Sequence, residues 1–505
     1  MSTTNVAAAG PGWVRRTHHV LRPDPTRVVS FIFLPGQEVA LQGGSRSHAV
    51  LERILALSDE EVEQTLTATA GRFGARHRDL EAEWEVHFEL IAHRFAAPTE
   101  ISRSRRLLVG AFFTQEYAIE GAAFFNPSMV LHPDQSELPY GAARFVLSAR
   151  AVGEGHISSV EWRTGVLDLA GEITFDPPPT TAHLPEGRPT IYSRKLFERM
   201  MRQDGRRGAN AAFVLAELDE QFSRADLDQA LGRLHEQSLT RGSARGTIDR
   251  LERLAACNYT VEFAADSLLQ ERVLMPHGPS EERGMEDVRL VRFADDHGGI
   301  DYFGTYTAYD GSAVNNQLLH TRDFRRFDVS QLSGPGARNK GIAIFPRQVG
   351  GRFLALSRAD RESNLLTSST DLHHWVHPTV LQAPCQPWEI IQVGNCGSPI
   401  ETDLGWVALT HGVGPMREYG MGAILLDLHD PTIVRGRLRR PLLTPNPQER
   451  SGYVPNVVYS CGALRHGDHL VIPYGCSDSS IRIAVVDLPA LLDELTRDDH
   501  DGGTP

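Results

Sequence analysis

The sequence predicts a mainly β protein carrying two helical additions, and three observations lead there. Short apolar runs broken by Gly, Asp and Pro fill the stretch from about residue 106 to 190 and resume from about 259 to 492. Helical periodicity dominates the first hundred residues and the stretch 190–256. A loose repeat of strand, polar turn and second strand runs through the β regions.

Taken in order, Ser58 and Glu61 have capping-box spacing, and Val62, Leu66 and Phe73 follow on roughly one face. Leu80, Trp84, Phe88 and Ile91 continue the period and read as a packing layer. The apolar run Arg106–Phe113 and the run Arg144–Leu147 read as strands. Leu196, Met200, Phe213, Leu218, Leu227, Leu231, Leu234 and Leu251 sit at helical spacing in charged surroundings, so a helical insertion interrupts the β region. The repeat appears at Asn126–Arg150, and again at Asp287–Tyr309 with the turn Asp295–Gly299. It returns at Ile342–Arg358 around Gly350-Gly351, at Ser398–His411 around Asp403–Gly405, and at Val457–Tyr474 around His466–Asp468. Five units of roughly four strands and about 50 residues are the signature of a five-bladed β-propeller. The expected organisation is a mostly helical region over 1–104, a propeller over 105–495 interrupted by the insertion 190–256, and a disordered tail over 496–505.

Composition narrows the function classes. Hydrophobic residues are 41% of the 505 and charged ones 23%, which suits a soluble globular chain. Lys and Arg number 51 against 64 Asp and Glu, and a net charge of −13 disfavours nucleic acid and anionic membranes as partners. No apolar run approaches the roughly 18 residues of a membrane span, and Met1–Arg16 lacks the apolar core of a signal peptide. Cys257, Cys385, Cys396, Cys461 and Cys476 form no CxxC pair and read as reduced thiols in a cytoplasmic protein. His373, His374 and His377 read as loop histidines, so no metal site is expected, and Arg202, Arg206 and Arg207 read as a solvated basic run. Gly350-Gly351 and Gly334–Gly336 are turns, since no GxxxxGK-type helix start follows them.

Polar residues gather at one phase of the repeat: Asn126, Arg150, Glu154 and His156, then Glu286, Asp287 and Arg289. Arg338, Asn339, Lys340, Arg358 and Asp360 follow, then Glu401 and His411, then Glu449, Tyr453, Asn456 and Asp478. Singly, each suits a turn or a surface charge. Jointly, carboxylates, arginines and aromatic rings (Tyr309, Trp388, Trp406, Tyr419) suit a sugar, whose hydroxyls want bidentate partners and whose faces stack on rings.

Gly284–Arg289 resembles the Gly-x-Glu-Asp-Pro-Arg motif of glycoside hydrolase family 130, the β-mannoside phosphorylases and β-mannosidases. Tyr306–Asp310, Asn339-Lys340, Phe345-Pro346, Gly397–Thr402, Gly405-Trp406, His411-Gly412, Leu425–Leu428 and Tyr453–Val458 continue the resemblance in order. Phe125–Pro127 and Arg150–Gly153 look like its first blade. The resemblance implies a five-bladed propeller that cleaves β-mannosidic linkages with inversion and without a cofactor, with Asp287 as general acid. It places Asn126, Arg150, Glu286, Tyr309, Asp310, Asn339, His411, Glu449, Asn456 and Asp478 as substrate ligands. Arg338 and Arg358 would hold phosphate in a phosphorylase, where inorganic phosphate is the co-substrate.

Glu401 stands where the phosphorylases are expected to carry a lysine, and Val288 stands in place of the motif's Pro. A carboxylate there disfavours a bound dianion and suits a water-activating base. The expectation is therefore hydrolysis with Asp287 and Glu401 catalytic, and Glu449 a second base candidate. The alternatives are phosphorolysis releasing mannose 1-phosphate, and a non-catalytic carbohydrate-binding propeller. The helical segments are the expected contacts of any homo-oligomer.

Overall fold

The computed structural model describes residues 11–35, 46–94, 101–203, 208–237 and 244–497. The protein is mainly β, and most of the strands among the described residues can be grouped into five antiparallel units. Unit I comprises Ala123–Leu131, Ala143–Val152, Ser158–Leu167 and Ile173–Phe175. Unit II comprises Gly284–Ala294, Ile300–Tyr309, Val314–Thr321 and Arg326–Gln331. Unit III comprises Ala343–Ile344, Phe353–Ser357, Asn364–Ser369 and Thr379–Gln382. In unit IV the first strand is split into Gln392–Asn395 and Ile400–Thr402, followed by Gly405–Val413, Tyr419–Leu426 and Val434–Arg437. Unit V runs Val458–Tyr459, His469–Cys476 and Ser480–Asp487, and its fourth strand is Val14–Leu21 from the other end of the chain.

Residues 1–104, expected to be mostly helical, carry helices over Arg46–Leu55, Asp59–Phe73 and Leu80–Ile91 and also two strands. Val14–Leu21 completes unit V, and Val28–Ile32 pairs with Thr114–Ala118 to bracket the helices between them. Residues 106–113 are corrected, because most of this run lies in the helix Arg103–Phe112 instead of a strand. Seven consecutive apolar or small residues fit either period, and local chemistry decides. Ser102 caps the helix by accepting from the Arg105 amide, and Gly110 lets it pack closely on the helix Leu80–Ile91. A Cβ at Gly110 would lie 2.0 Å from the carbonyl oxygen of Trp84. Leu51, Val62, Phe88, Leu108 and Phe113 share the resulting core.

The helices Arg194–Gln203, Ala209–Ala216, Arg224–Glu236 and Ala244–Ala256 enclose a separate core around Phe197, Val214, Leu227 and Leu251. Strands on either side of this insertion extend unit II, Tyr259–Glu262 pairing with Arg326–Gln331 and with Glu186–Arg188. Units I and II join in one sheet through Gly284 beside Ser158. Arg206 and Arg207, and the tail from 498 onward, lie outside the described residues.

Candidate active site

Each unit carries a residue with a left-handed backbone near the head of its first strand. These are Asn126 (φ 48°), Asp287 (φ 59°), Asn339 (φ 60°), Gly397 (φ 109°) and Asn456 (φ 63°). Asn, Asp and Gly are the types that tolerate this region, so the chain has placed the permissive residues where the backbone must turn. In units I and II the turn is a bulge. Phe125 pairs with Arg150 and Ser128 with Ser148, so two residues oppose one; Glu286 with Thr307 and Arg289 with Thr305 repeat the pattern. Such bulges re-aim side chains out of the ladder, and here they bring Asn126 and Asp287 together, with Asn126 Nδ2 donating to Asp287 Oδ1 at 2.8 Å.

Charges of both signs surround this contact. Arg150 donates to Glu286 at 2.9 Å and approaches Asp287 at 3.5 Å, its guanidinium 5.2 Å above the Phe125 ring. Lys340 donates to the other Glu286 oxygen at 2.6 Å. Buried Arg289 donates to the Asp287 carbonyl and to Asn395 Oδ1, both at 3.1 Å, and to the Tyr459 hydroxyl. Burial alone would push the Asp287 carboxyl up, but Arg150, then Lys340 and Arg289, hold it below the ordinary carboxylate value. Asp478 goes the other way: burial, then the charge of Asp287, raises it to about 6.

On the unit III and IV side, Arg358 lies over two glycines. A Cβ on Gly394 would sit 2.4 Å from Arg358 Cδ and Nε and 2.8 Å from His411 Cε1; one on Gly341 would sit 3.2 Å from Arg358 Cδ. A side chain at Gly394 would force Arg358 or His411 to move. His411 is fully buried, its Nδ1 3.1 Å from the Asn395 carbonyl and its ring stacked on Tyr419. Burial, then Arg358 and Arg289, lower its pKa well below the ordinary histidine value. The ring is therefore neutral; Nδ1 carries the proton toward the Asn395 carbonyl, and Nε2 is left as an acceptor. Four buried polar atoms in this cup have no hydrogen-bond partner among the described residues: Asn126 Oδ1, Arg150 Nε, Arg358 Nε and His411 Nε2. Buried polar groups are rarely left so, and a cluster of them marks where a polar ligand belongs.

Several residues expected in the site lie elsewhere or serve another end. Glu401 is held by a two-pronged ion pair with Arg347, at 2.7 and 2.9 Å, and Arg347 itself stacks on Trp406. Glu401 pairs with Trp406, while Asn395 of the cup pairs with Thr410. Those four positions along one strand are about 13 Å, so Glu401 sits at the hairpin end of unit IV, away from Asp287. The expected partnership of Asp287 and Glu401 is therefore not formed. Glu449 is buried, accepting from Tyr474 OH at 2.7 Å and from the Asn446 amide, beside Arg16. Arg338 is exposed and lines a separate cleft of about 380 Å³ with Arg199, Arg202 and His374. Asp310 closes its own turn and receives Arg253 at 2.9 Å, and Tyr309 OH bonds the Gly311 carbonyl. Asn339 joins Arg361 to the Ala359 carbonyl. His373 and His374 bond Ser330 and Ser333, and no group of three metal-ligating side chains occurs among the described residues. Sequence reasoning passed over Gly341, Gly394, Asn395 and Tyr459; a glycine one residue before the Asn395–Gly397 turn was the available signal.

A family model described as beta-1,4-mannooligosaccharide phosphorylase matches residues 260–497. The 1,2-beta-oligomannan phosphorylase of Thermoanaerobacter sp. is 33% identical over 232 residues, which cover 44% of this chain and 74% of that enzyme. The chain belongs to glycoside hydrolase family 130. A second family member, the beta-1,2-mannobiose phosphorylase of Listeria innocua, is 32% identical over 237 residues, 45% of this chain and 65% of that enzyme's length. The solved structure of the Listeria innocua enzyme with beta-1,2-mannobiose superposes with a TM-score of 0.45 at 22% identity, covering 75% of this chain and 93% of that one. The family match contains Glu286, Asp287, Lys340, Arg358, His411 and Asp478; Asn126 and Arg150 come from unit I, ahead of it.

Proposed function

We propose that this protein is a β-mannoside phosphorylase acting on β-1,2-linked manno-oligosaccharides, built as a five-bladed propeller whose ring is closed by Val14–Leu21. Inorganic phosphate attacks the anomeric carbon of the terminal mannosyl unit from the face opposite the leaving sugar. The C1–O bond breaks, the leaving oxygen takes a proton from Asp287, directly or through a mannosyl hydroxyl, and α-mannose 1-phosphate departs.

The observation that carries this reading is Arg358, half-buried over Gly394 and Gly341 with a buried, unpartnered Nε, beside His411 with an unpartnered Nε2. An arginine fork on a glycine floor suits a phosphate oxygen, and Lys340 and Arg150 add positive charge on the other side. The names of the relatives point the same way. Hydrolysis was the first expectation because Glu401 offered a base, and with Glu401 paired to Arg347 at the far end of its unit that support is gone. A non-catalytic binding role is disfavoured by Asp287, which sits in the cup with donors on both sides.

Asp287 is ionised in the resting cup, yet the reaction needs it to carry a proton. A phosphate dianion lodged among Arg358, Lys340 and Arg150 cancels part of the positive field that holds Asp287 down, and so raises its pKa. Phosphate binding thus prepares the acid. The reading is tested by incubating β-1,2-mannobiose with the protein and with Asp287→Asn, with and without phosphate. Disaccharide consumption is expected only with the native side chain and phosphate together. Consumption by Asp287→Asn at the native rate would remove Asp287 from its role.

A further inference from the structure

Where the helical insertion meets units II and III, a cleft of about 380 Å³ is lined by Arg199, Arg202, Gly334, Pro335, Arg338 and His374. Its residues come from three separate stretches of chain. Arg199 and Arg202 are three positions apart on the helix Arg194–Gln203, which puts them on one face. The turn 334–338 leads from the last strand of unit II to the first of unit III, and His374 lies between the last two strands of unit III.

Backbone pairing fixes the floor. Ser333 donates its amide to the His373 carbonyl at 2.8 Å, Trp375 donates back to the Ser333 carbonyl at 2.9 Å, and Gly336 donates to the Trp375 carbonyl at 3.2 Å. Gly334 holds φ 96°, and a Cβ there would lie 2.2 Å from the Trp375 carbonyl oxygen. The Ser333 hydroxyl lies 3.1 Å from His374 Nδ1. On the helix side, Arg199 donates to the Asp371 carboxylate, which the His373 and His374 amides also hold, at 3.2 and 3.1 Å. One cation is thus anchored at the cleft. Arg202 is freer, 3.7 Å from Glu198 with side chains 43% and 41% exposed. Arg338 makes no ion pair among the described residues.

Three guanidiniums therefore meet two carboxylates in one cleft, although the chain as a whole carries −13. His374 feels this field: burial, then the charge of Arg199, lower its pKa. Converging arginine forks suit the oxygens of a phosphate group, and the volume leaves room for an organic group beside them. The cleft is not part of the cup. Lys340, two residues beyond Arg338, reaches Glu286 of the cup, so one turn borders both sites. Arg199 and Arg202 belong to the insertion, ahead of the family match at 260–497. We infer that this cleft is a second anion site, which takes a phosphate dianion, free or carried by a sugar, between the insertion and unit III. Such a site does not need phosphorolysis in the cup.

Equilibrium dialysis of the full-length protein against inorganic phosphate, beside Arg358→Ala and Arg202→Glu, tests it without turnover. About two phosphates are expected per native chain and about one in each variant, the cup being weakened in the first and the cleft in the second. Mannose 1-phosphate is then dialysed against Arg358→Ala with and without Arg202→Gln. The added change is expected to weaken binding about tenfold, the worth of one hydrogen bond to a charged group. Because Arg202 is exposed and loosely paired, both of its variants are expected to melt with the native protein; if Arg202→Glu does not, Arg202→Gln decides. Tighter binding of mannose 1-phosphate than of phosphate to Arg358→Ala assigns the site to a sugar phosphate, equal binding assigns it to free phosphate, and either supports the site. One phosphate per chain, lost in Arg202→Glu and kept in Arg358→Ala, supports the cleft while removing phosphate from the cup. One phosphate per chain, lost in Arg358→Ala and kept in both Arg202 variants, overturns the second site.

Discussion

Asn126 of unit I donates its side-chain amide to Asp287 of unit II at 2.8 Å, and both residues hold left-handed backbones at matching bulges. The contact aligns the proposed acid and stabilises its charge. Asn126→Gly keeps the backbone and removes the amide, so kcat is expected to fall about 10- to 100-fold, the worth of a hydrogen bond to a charged group. Asn126→Ala adds strain at φ 48° and is expected to be less stable than the glycine variant by about 1 kcal/mol. Initial rates and chemical denaturation of the two variants check both parts.

Arg358 is predicted to act on phosphate and not on the sugar. Arg358→Ala should raise the KM for phosphate about 10- to 100-fold while the KM for mannobiose changes less than about threefold. Lysine at the same place should recover only part, because a single ammonium cannot reproduce the fork. Equal rises in both KM values would place Arg358 on the sugar.

Glu401 is predicted to be dispensable for chemistry. Glu401→Gln leaves Arg347 stacked on Trp406 and weakens a pair whose members are 35% and 40% exposed. Activity should stay within about twofold, and stability should fall by about 1 kcal/mol or less, as for other half-exposed pairs. A loss of about a hundredfold or more, the scale of a missing general base, would return Glu401 to the reaction.

Asp478 sets the expected pH dependence. Its folded value of about 6 stands above the ordinary 3.8, so the folded protein binds this proton more tightly than the unfolded chain. The stability it contributes is fully present below 3.8 and is lost as pH rises toward about 6. Asp478→Asn should therefore raise Tm at pH 7 and leave it nearly unchanged at pH 3. In its proposed role the ionised carboxylate accepts a sugar hydroxyl, so kcat/KM is expected to rise through about pH 6, and the variant is expected to lose that inflection. Thermal melts and pH–rate profiles of both proteins supply the comparison.

What the sequence made legible, and what it hid, has a physical pattern. The polar recurrence singled out Asn126 and Asp287, because the left-handed turn there demands Asn, Asp or Gly, and with them the neighbouring Arg150, Glu286, Arg358, His411 and Asp478. It could not say which end of a strand a polar residue occupies. Glu401 follows Asn395 by six positions, and a split first strand with a wide bulge carries it to the hairpin end. Glu449 was misplaced for a different reason: a carboxylate satisfied by Tyr474, the Asn446 amide and Arg16 looks the same in sequence as one that faces a ligand. The run 106–113 misled because apolar residues alone do not choose a period, whereas Ser102 and the close approach of Gly110 to Trp84 do. The strand Val14–Leu21 was hidden because its partner, Ser480–Asp487, lies at the opposite end of the chain.

The central claim is that phosphate, and not water, takes the mannosyl unit. Phosphorus-31 NMR of the protein with β-1,2-mannobiose and inorganic phosphate tests it directly. The account predicts that the phosphate signal declines as an α-mannose 1-phosphate signal grows in step with disaccharide loss, and that nothing is consumed when phosphate is left out. Free mannose accumulating at the same rate without phosphate, with the phosphorus spectrum unchanged when it is present, would contradict it.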